Sequence, residues 1–99
     1  MHTISVIWDL DDDPTGNVQH IARNGVTKDE VEEVLDGHYH EYFFSREEPY
    51  NAITFGETTT GKHLAVLFEV VDPVPPTVRP ITAFEAPPPA KSKKGKRRR

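Results

Sequence analysis

The chain has 99 residues, enough for one small domain, and its 28% charged and 35% hydrophobic residues are typical of a water-soluble globular protein. It contains no cysteine, which excludes disulfides, thiolate metal sites and thiol nucleophiles. No apolar run reaches the roughly 18 residues that a membrane span needs, and the first residues do not have the pattern of a secretory signal. We therefore expect a cytoplasmic protein without membrane contact.

The charge is divided unevenly along the chain. Residues 1–90 carry five basic residues against all sixteen acids, a net charge of −11, whereas residues 91–99 carry seven basic residues and no acid. Because residues 87–99 have no apolar period, we expect a single α+β domain over residues 1–86 followed by a disordered, Pro-rich and basic tail. The candidate nucleic-acid-binding residues are the cations of this tail: Lys91, Lys93, Lys94, Lys96, Arg97, Arg98 and Arg99. A plain solubilising tail is the alternative.

The first elements are a strand and a short helix. Alternation of apolar residues predicts a strand over residues 3–9, and an exposed acidic loop over residues 9–13 follows it. The loop lacks the glycine and the glutamate of a calcium-binding loop at the required spacing, so we expect solvated acids there. Apolar residues at helical spacing then predict a helix from Asn17 to Arg23 or Asn24, which Gly25 closes in a left-handed conformation.

The second helix carries the clearest local signal. Thr27 and Glu30 stand at the spacing of a capping box, in which each side chain accepts a hydrogen bond from the other residue's backbone N–H. An apolar stripe follows, and Gly37 predicts that the helix ends after Asp36.

Extended periodicity then predicts four strands, at residues 39–44, 52–57, 63–71 and 78–84. The turns between them are short, so the strands should be antiparallel neighbours. We predict the order β-α-α-β-β-β-β, with two short helices packed on one face of an antiparallel sheet. Pro80 requires that the last strand be an edge or contain a bulge. The expected core is Ile4, Val6, Trp8, Val18, Ile21, Val31, Val34, Leu35, Ile53, Phe55, Leu64, Val66 and Phe68.

Histidines are the candidates for acid/base chemistry. His20 and His63 lie at the ends of predicted elements, and an imidazole titrates near neutral pH, although ordinary polar surface residues are the alternative. His38 and His40 would lie on one side of a strand, but two ligands do not make a metal site. Phosphate loops, serine-hydrolase elbows and zinc-protease motifs are absent from the sequence. We expect neither a metal nor another cofactor.

Four short segments point to a known family. They are Trp8-Asp9 at the end of the first strand, Arg-Asn-Gly-Val at residues 23–26, the capped helix at residues 27–35, and Val-Arg-Pro-Ile-Thr-Ala at residues 78–83. Over residues 4–86 the chain resembles the BrnT family, ribonuclease toxins of type II toxin–antitoxin pairs within the RelE-like superfamily. The resemblance implies a RelE-like fold, RNA cleavage without a metal, and a ribbon-helix-helix antitoxin as partner protein.

Two functions follow from this resemblance. In the first, the chain is a BrnT-like endoribonuclease in which Arg79 and Arg23 contact the scissile phosphate and His20 or His63 transfers protons. In the second, it is a non-catalytic protein-binding module of the same fold, with the basic tail adding affinity for nucleic acid. The second rests on the acidic body and on charge changes such as Glu57, which stands where the family usually has an arginine.

Overall fold

The computed structural model describes residues 4–38, 41–44 and 52–87. It confirms an α+β protein with the predicted order of elements. They are β1 (Ser5–Val6), α1 (Asn17–Arg23), α2 (Lys28–His38), β2 (Phe43–Phe44), β3 (Ala52–Glu57), β4 (His63–Pro73) and β5 (Pro76–Glu85). The basic tail, His40 and the first predicted residues of β2 lie outside the described residues. Within these ranges no helix is long and apolar enough to cross a membrane.

The sheet has five strands in the order β1-β5-β4-β3-β2. β2 to β5 form the predicted antiparallel meander, but β1 is parallel to β5, with Ser5 opposite Thr77 and Val6 opposite Val78. The expectation of a wholly antiparallel sheet is therefore wrong at this edge. Short turns fix the direction of β2 to β5, whereas the long connection through two helices leaves β1 free to run either way.

The helices begin where the sequence predicts. Gly25 adopts a φ of +78° directly after α1, which is the left-handed conformation expected of a closing glycine. At the start of α2, the Thr27 amide donates to Glu30 Oε1 at 3.0 Å and the Glu30 amide donates to Thr27 Oγ1 at 3.2 Å. The capping box is confirmed.

The predicted end of α2 is wrong by two residues. The helix continues through Gly37 to His38. The hydroxyl of Thr54, on β3, donates to the backbone carbonyl of His38 at 2.8 Å. Because β3 supplies a partner for this terminal carbonyl, the helix does not need a left-handed glycine to satisfy it.

The helices cover one face of the sheet, and β3 presents its small residues to them. Ala52, Thr54 and Gly56 are buried beneath α2, whereas Ile53 and Phe55 point to the other face. The predicted core was wrong at Ile53 and Phe55, because α2 packs too closely on β3 for large side chains. It was also wrong at Val18, which is only half-buried and is not part of the buried cluster. The buried apolar cluster is Ile4, Ile21, Val26, Val31, Val34, Leu35, Ala52, Leu64, Val66, Phe68, Val78 and Ala83, with Val6 and Trp8 partly buried against it.

β5 contains a bulge next to Pro80, which is one of the two arrangements that the sequence predicts for this strand. Phe68 pairs with Pro80 but its neighbour Leu67 pairs with Thr82, so β5 contains one extra residue. β1 pairs only as far as Val78, and beyond it the edge of β5 is protected by side-chain amides of α1 and its cap. Asn17 Nδ2 donates to the Pro80 carbonyl at 2.9 Å, and Asn24 Nδ2 donates to the Ala83 carbonyl at 3.0 Å.

Candidate functional site

A shallow concavity of 190 Å³ lies between the start of α1 and β5. Its lining residues are Thr15, Gly16, Asn17, His20, Arg79 and Ile81. Two of the four candidate catalytic residues, His20 and Arg79, therefore share this concavity. They are far apart in the sequence and are brought together because α1 runs along the edge of β5.

An ion pair holds Arg79 at this site. Asp9 Oδ2 accepts a hydrogen bond from Arg79 Nη2 at 2.8 Å and one from the Asn17 amide at 2.8 Å. The hydrogen bond from the Asn17 backbone contributes most to lowering the pKa of Asp9; partial burial opposes it, and Arg79 lowers the pKa further. Asp9 is therefore a carboxylate near neutral pH and fixes the direction of the Arg79 side chain.

Asn17 joins the three segments that build the site. Its Oδ1 accepts from the Asp9 amide at 2.9 Å, and its Nδ2 donates to the carbonyls of Ile7 at 3.2 Å and Pro80 at 2.9 Å. The residue is buried. One side chain thus connects the chain leaving β1, the start of α1 and the bulge of β5.

Gly16 is required by close packing against the acidic loop. A Cβ at this position would lie 2.7 Å from the Cβ of Asp9, a distance that real Cβ atoms do not tolerate. Any larger residue would push Asp9 away from Asn17 and Arg79.

Arg23 lies beside the concavity. It is one turn beyond His20 on the same face of α1, and its guanidinium donates to the Pro14 carbonyl at 2.5 Å. Pro14 directly precedes Thr15 in the wall of the concavity. Arg23 therefore lies next to one wall of the concavity but is not among the residues that line it.

His63 is not part of this group. It begins β4, where its ring stacks on Phe55 with centroids 6.2 Å apart and its Nδ1 lies 3.2 Å from the Ala86 carbonyl. Glu69, the residue opposite Arg79, is six positions further along β4. At about 3.3 Å per residue, His63 is roughly 20 Å from the Arg79 position along the strand.

The remaining candidates are the tail cations, the possible metal ligands and the acids of the 9–13 loop. The tail cations Lys91 to Arg99 lie outside the described residues. Among the described residues, no group of three histidine, aspartate or glutamate side chains is arranged to hold a metal ion. In the acidic loop, Asp13 accepts from the Thr15 amide at 3.0 Å and Asp11 pairs with Lys28 at 3.0 Å.

Comparison with known proteins adds no relative. No protein-family model, no curated protein and no solved structure matches the chain. The likeness to the BrnT family therefore rests on the four sequence segments alone.

Chemically, the concavity offers a cation beside a group that can exchange protons. The Arg79 guanidinium has five N–H donors, and its hydrogen bond to Asp9 uses one of them. His20 is exposed on the opposite wall. An anion such as a phosphate can contact Arg79 while one of its substituents faces His20. Asp9 and Asn17, which organise this arrangement, were missed because nothing local in the sequence connects Asp9, Asn17 and Arg79.

Proposed function

We propose that the protein is a BrnT-like endoribonuclease that cleaves RNA without a metal, with the concavity between α1 and β5 as its active site. The observation that carries the proposal is the concavity that Arg79 and His20 share. Cleavage of an RNA phosphodiester requires a cation to stabilise negative charge on the phosphate and a group that moves protons. This concavity offers both.

In the proposed reaction, neutral His20 accepts the proton of a ribose 2′-hydroxyl. The 2′-oxygen then bonds to the adjacent phosphorus while the bond from phosphorus to the 5′-oxygen breaks. The imidazolium of His20, or water, returns a proton to the 5′-oxygen, leaving a 2′,3′-cyclic phosphate and a 5′-hydroxyl. Arg79 stabilises the charge that develops on the phosphate oxygens in the transition state.

Asp9 and Arg23 have supporting roles in this proposal. Asp9 holds the guanidinium of Arg79 in place at 2.8 Å, so that it does not reorganise when substrate binds. Arg23, next to Pro14 and outside the lining of the concavity, contacts a neighbouring phosphate. The family resemblance adds a ribbon-helix-helix antitoxin as the protein partner that would cover the site.

A non-catalytic protein-binding module of the same fold is the second candidate. The ion pair itself favours it, because Asp9 neutralises the charge that Arg79 would otherwise offer to a phosphate. The two candidates differ in one result, which is whether the purified protein cuts RNA.

The test is cleavage of RNA by the full chain in the presence of EDTA. We expect wild type to cut, and Arg79→Ala to reduce the rate at least about tenfold, since loss of one charge-stabilising donor costs 10²–10³ in other enzymes. Lys28→Ala is the matched control, because it also removes one cation, but one that pairs with Asp11 and does not line the concavity, and it should change the rate by less than about twofold. RNA left uncut at micromolar protein would reject the nuclease and favour the binding module.

A further inference from the structure

The bulge of β5 places an apolar side chain in the wall of the concavity. The pairing of β5 with β4 shifts by one residue directly after Pro80, so Ile81 has no residue opposite it on β4. A bulge re-aims a side chain out of the regular alternation of its strand, and bulges are frequent beside binding sites. Here the re-aimed side chain of Ile81 lines the concavity together with Arg79.

Ile81 is not part of the apolar core. Among the described residues, the partly buried apolar side chains that pack against the buried cluster are Val6, Trp8, Tyr42 and Val70, and Ile81 is not one of them. The side chain is half-buried and lines the concavity, so a ligand bound there can cover its exposed part. Covering apolar surface stabilises such a complex.

The charges around the concavity limit what Arg79 contributes on its own. Asp9 accepts a hydrogen bond from Arg79 at 2.8 Å and neutralises part of its charge. A Cβ on Gly16 would lie 3.2 Å from the Cβ of Asp13, so a second carboxylate is close to the same wall. A phosphate bound here shares one cation and is repelled by these carboxylates. Part of the affinity must therefore come from an uncharged portion of the ligand.

The size of the concavity fits one nucleotide. Its volume of 190 Å³ is below the roughly 300–1,000 Å³ of pockets that enclose a drug-sized molecule. Arg79 and Ile81 are two residues apart on β5, at most about 7 Å along the strand. A phosphate and the base attached to the same ribose are separated by a similar distance, so one nucleotide can contact both side chains.

We propose that Ile81 packs against the ribose and base of the nucleotide whose phosphate contacts Arg79, and that the site therefore takes unpaired RNA. Apolar side chains pack on the faces of bases that have left a duplex, and a base held between α1 and β5 cannot remain paired. Among the described residues that line the concavity, Ile81 is the one with a large apolar side chain. The inference rests on the proposed function and names the substrate class of the same site.

The test is NMR of the full chain, ¹³C-labelled at the isoleucine methyl groups and titrated with adenosine 3′-monophosphate or with inorganic phosphate. Neither probe has a bond to cleave, so binding is measured apart from catalysis. We expect the nucleotide to shift the Ile81 methyl signals more than phosphate does, and to bind at least about threefold more tightly. Ile53 is the internal control, because it is also half-buried but points to the face of the sheet turned away from the helices.

Variants measure how much the contact contributes. Ile81→Ala should weaken nucleotide binding about fivefold and change phosphate binding by less than about twofold, whereas Ile81→Val keeps most of the apolar surface and should bind the nucleotide within about twofold of wild type. Ile53→Ala is the matched control and should change neither affinity by more than about twofold. Equal affinity of wild type for the two probes, or Ile81 methyl signals that the nucleotide leaves unmoved, would overturn the inference without any variant.

A longer probe tests whether the nucleotide must be unpaired. A 2′-O-methyl oligoadenylate of twelve nucleotides, which has no free 2′-hydroxyl, should shift the Ile81 methyl signals as a single strand and not when it is paired with its complement. Equal shifts with the duplex would overturn the inference.

Failure of the inference and failure of the proposed function give different results. If the nucleotide bound through Ile81 but RNA stayed uncut, the inference would hold and only the nuclease would be rejected. If RNA were cut at a rate that depends on Arg79 while the nucleotide left Ile81 unmoved, only the inference would be rejected.

Discussion

At the scale of single residues, the candidate site depends on a reciprocal contact between Asp9 and Asn17. The backbone amide of each residue donates to the side chain of the other, at 2.8 and 2.9 Å. This contact holds the carboxylate that positions Arg79 and also fixes the start of α1. A substitution at Asn17 should therefore lower the stability of the fold and also disturb the position of Arg79.

We expect Asn17→Ala to lower the free energy of unfolding by about 2 kcal/mol. The substitution removes three hydrogen bonds and leaves the buried carbonyl of Pro80 without its amide partner, and a buried unsatisfied group costs about 1–3 kcal/mol. Urea unfolding of wild type and variant measures the difference.

Gln19→Ala is the control for this change. It removes an amide from the same helix, but one whose hydrogen bond to the Asp11 carbonyl is exposed, so it should cost less than about 0.5 kcal/mol. Equal losses in the two variants would contradict the role assigned to Asn17.

At the scale of elements, local sequence signals predicted the starts of helices better than their ends. The capping box of Thr27 and Glu30 and the closing Gly25 depend on neighbouring residues, and both are present in the structure. The end of α2 depends on Thr54, sixteen residues beyond His38, and no local pattern reports that contact. The helix end was therefore not predictable from Gly37.

The buried face of β3 could not be predicted for a similar reason. Apolarity alone favours Ile53 and Phe55 as core residues, and the structure buries the smaller Ala52 and Thr54 instead. Burial here is decided by how closely α2 approaches the strand. That distance is a tertiary property, and it also explains why Phe55 lies on the face of the sheet turned away from the helices.

Two glycine substitutions should shift stability in opposite directions. A Cβ on Gly56 would collide with the side chain of His38 and lie 3.1 Å from Val34 Cγ1, whereas a Cβ on Gly37 meets nothing within 4 Å. We expect Gly56→Ala to destabilise by about 1–3 kcal/mol through overpacking. Gly37→Ala lies within α2 and should stabilise by about 0.5–1 kcal/mol.

Urea unfolding of the two variants tests this difference. If Gly56→Ala proved as stable as wild type, the close packing of α2 on β3 would be wrong. That result would also remove the reason for the outward direction of Phe55.

At the scale of the whole molecule, the sequence predicted the class of fold and the types of residue at the site, but not how they assemble. Arg79 and His20 were singled out from family resemblance and from imidazole chemistry, and both line one concavity. Asp9 is 70 positions from Arg79, and β1 is parallel to β5 through a long connection. Contacts across such separations are set by packing of the complete domain, so the sequence pattern could not report them.

The uneven distribution of charge is also a property of the whole molecule rather than of one element. The acids that give the body its charge of −11 lie mainly in the 9–13 loop and α2, while the seven cations follow the exit of β5. The concavity lies beside this acidic loop, because Gly16 in its wall packs against Asp9 and Asp13. A phosphate that binds Arg79 must therefore overcome repulsion from these carboxylates.

NMR can locate bound RNA and so tests whether the concavity between α1 and β5 is the active site. A ¹⁵N-labelled full chain is titrated with an uncleavable 2′-O-methyl hexanucleotide in EDTA, and amide shifts are followed residue by residue. We expect marked shifts at Gly16, Asn17 and Arg79, which line the concavity, and loss of the shifts at Gly16 and Asn17 in Arg79→Ala. Saturable binding that leaves these three amides unmoved would contradict an active site between α1 and β5.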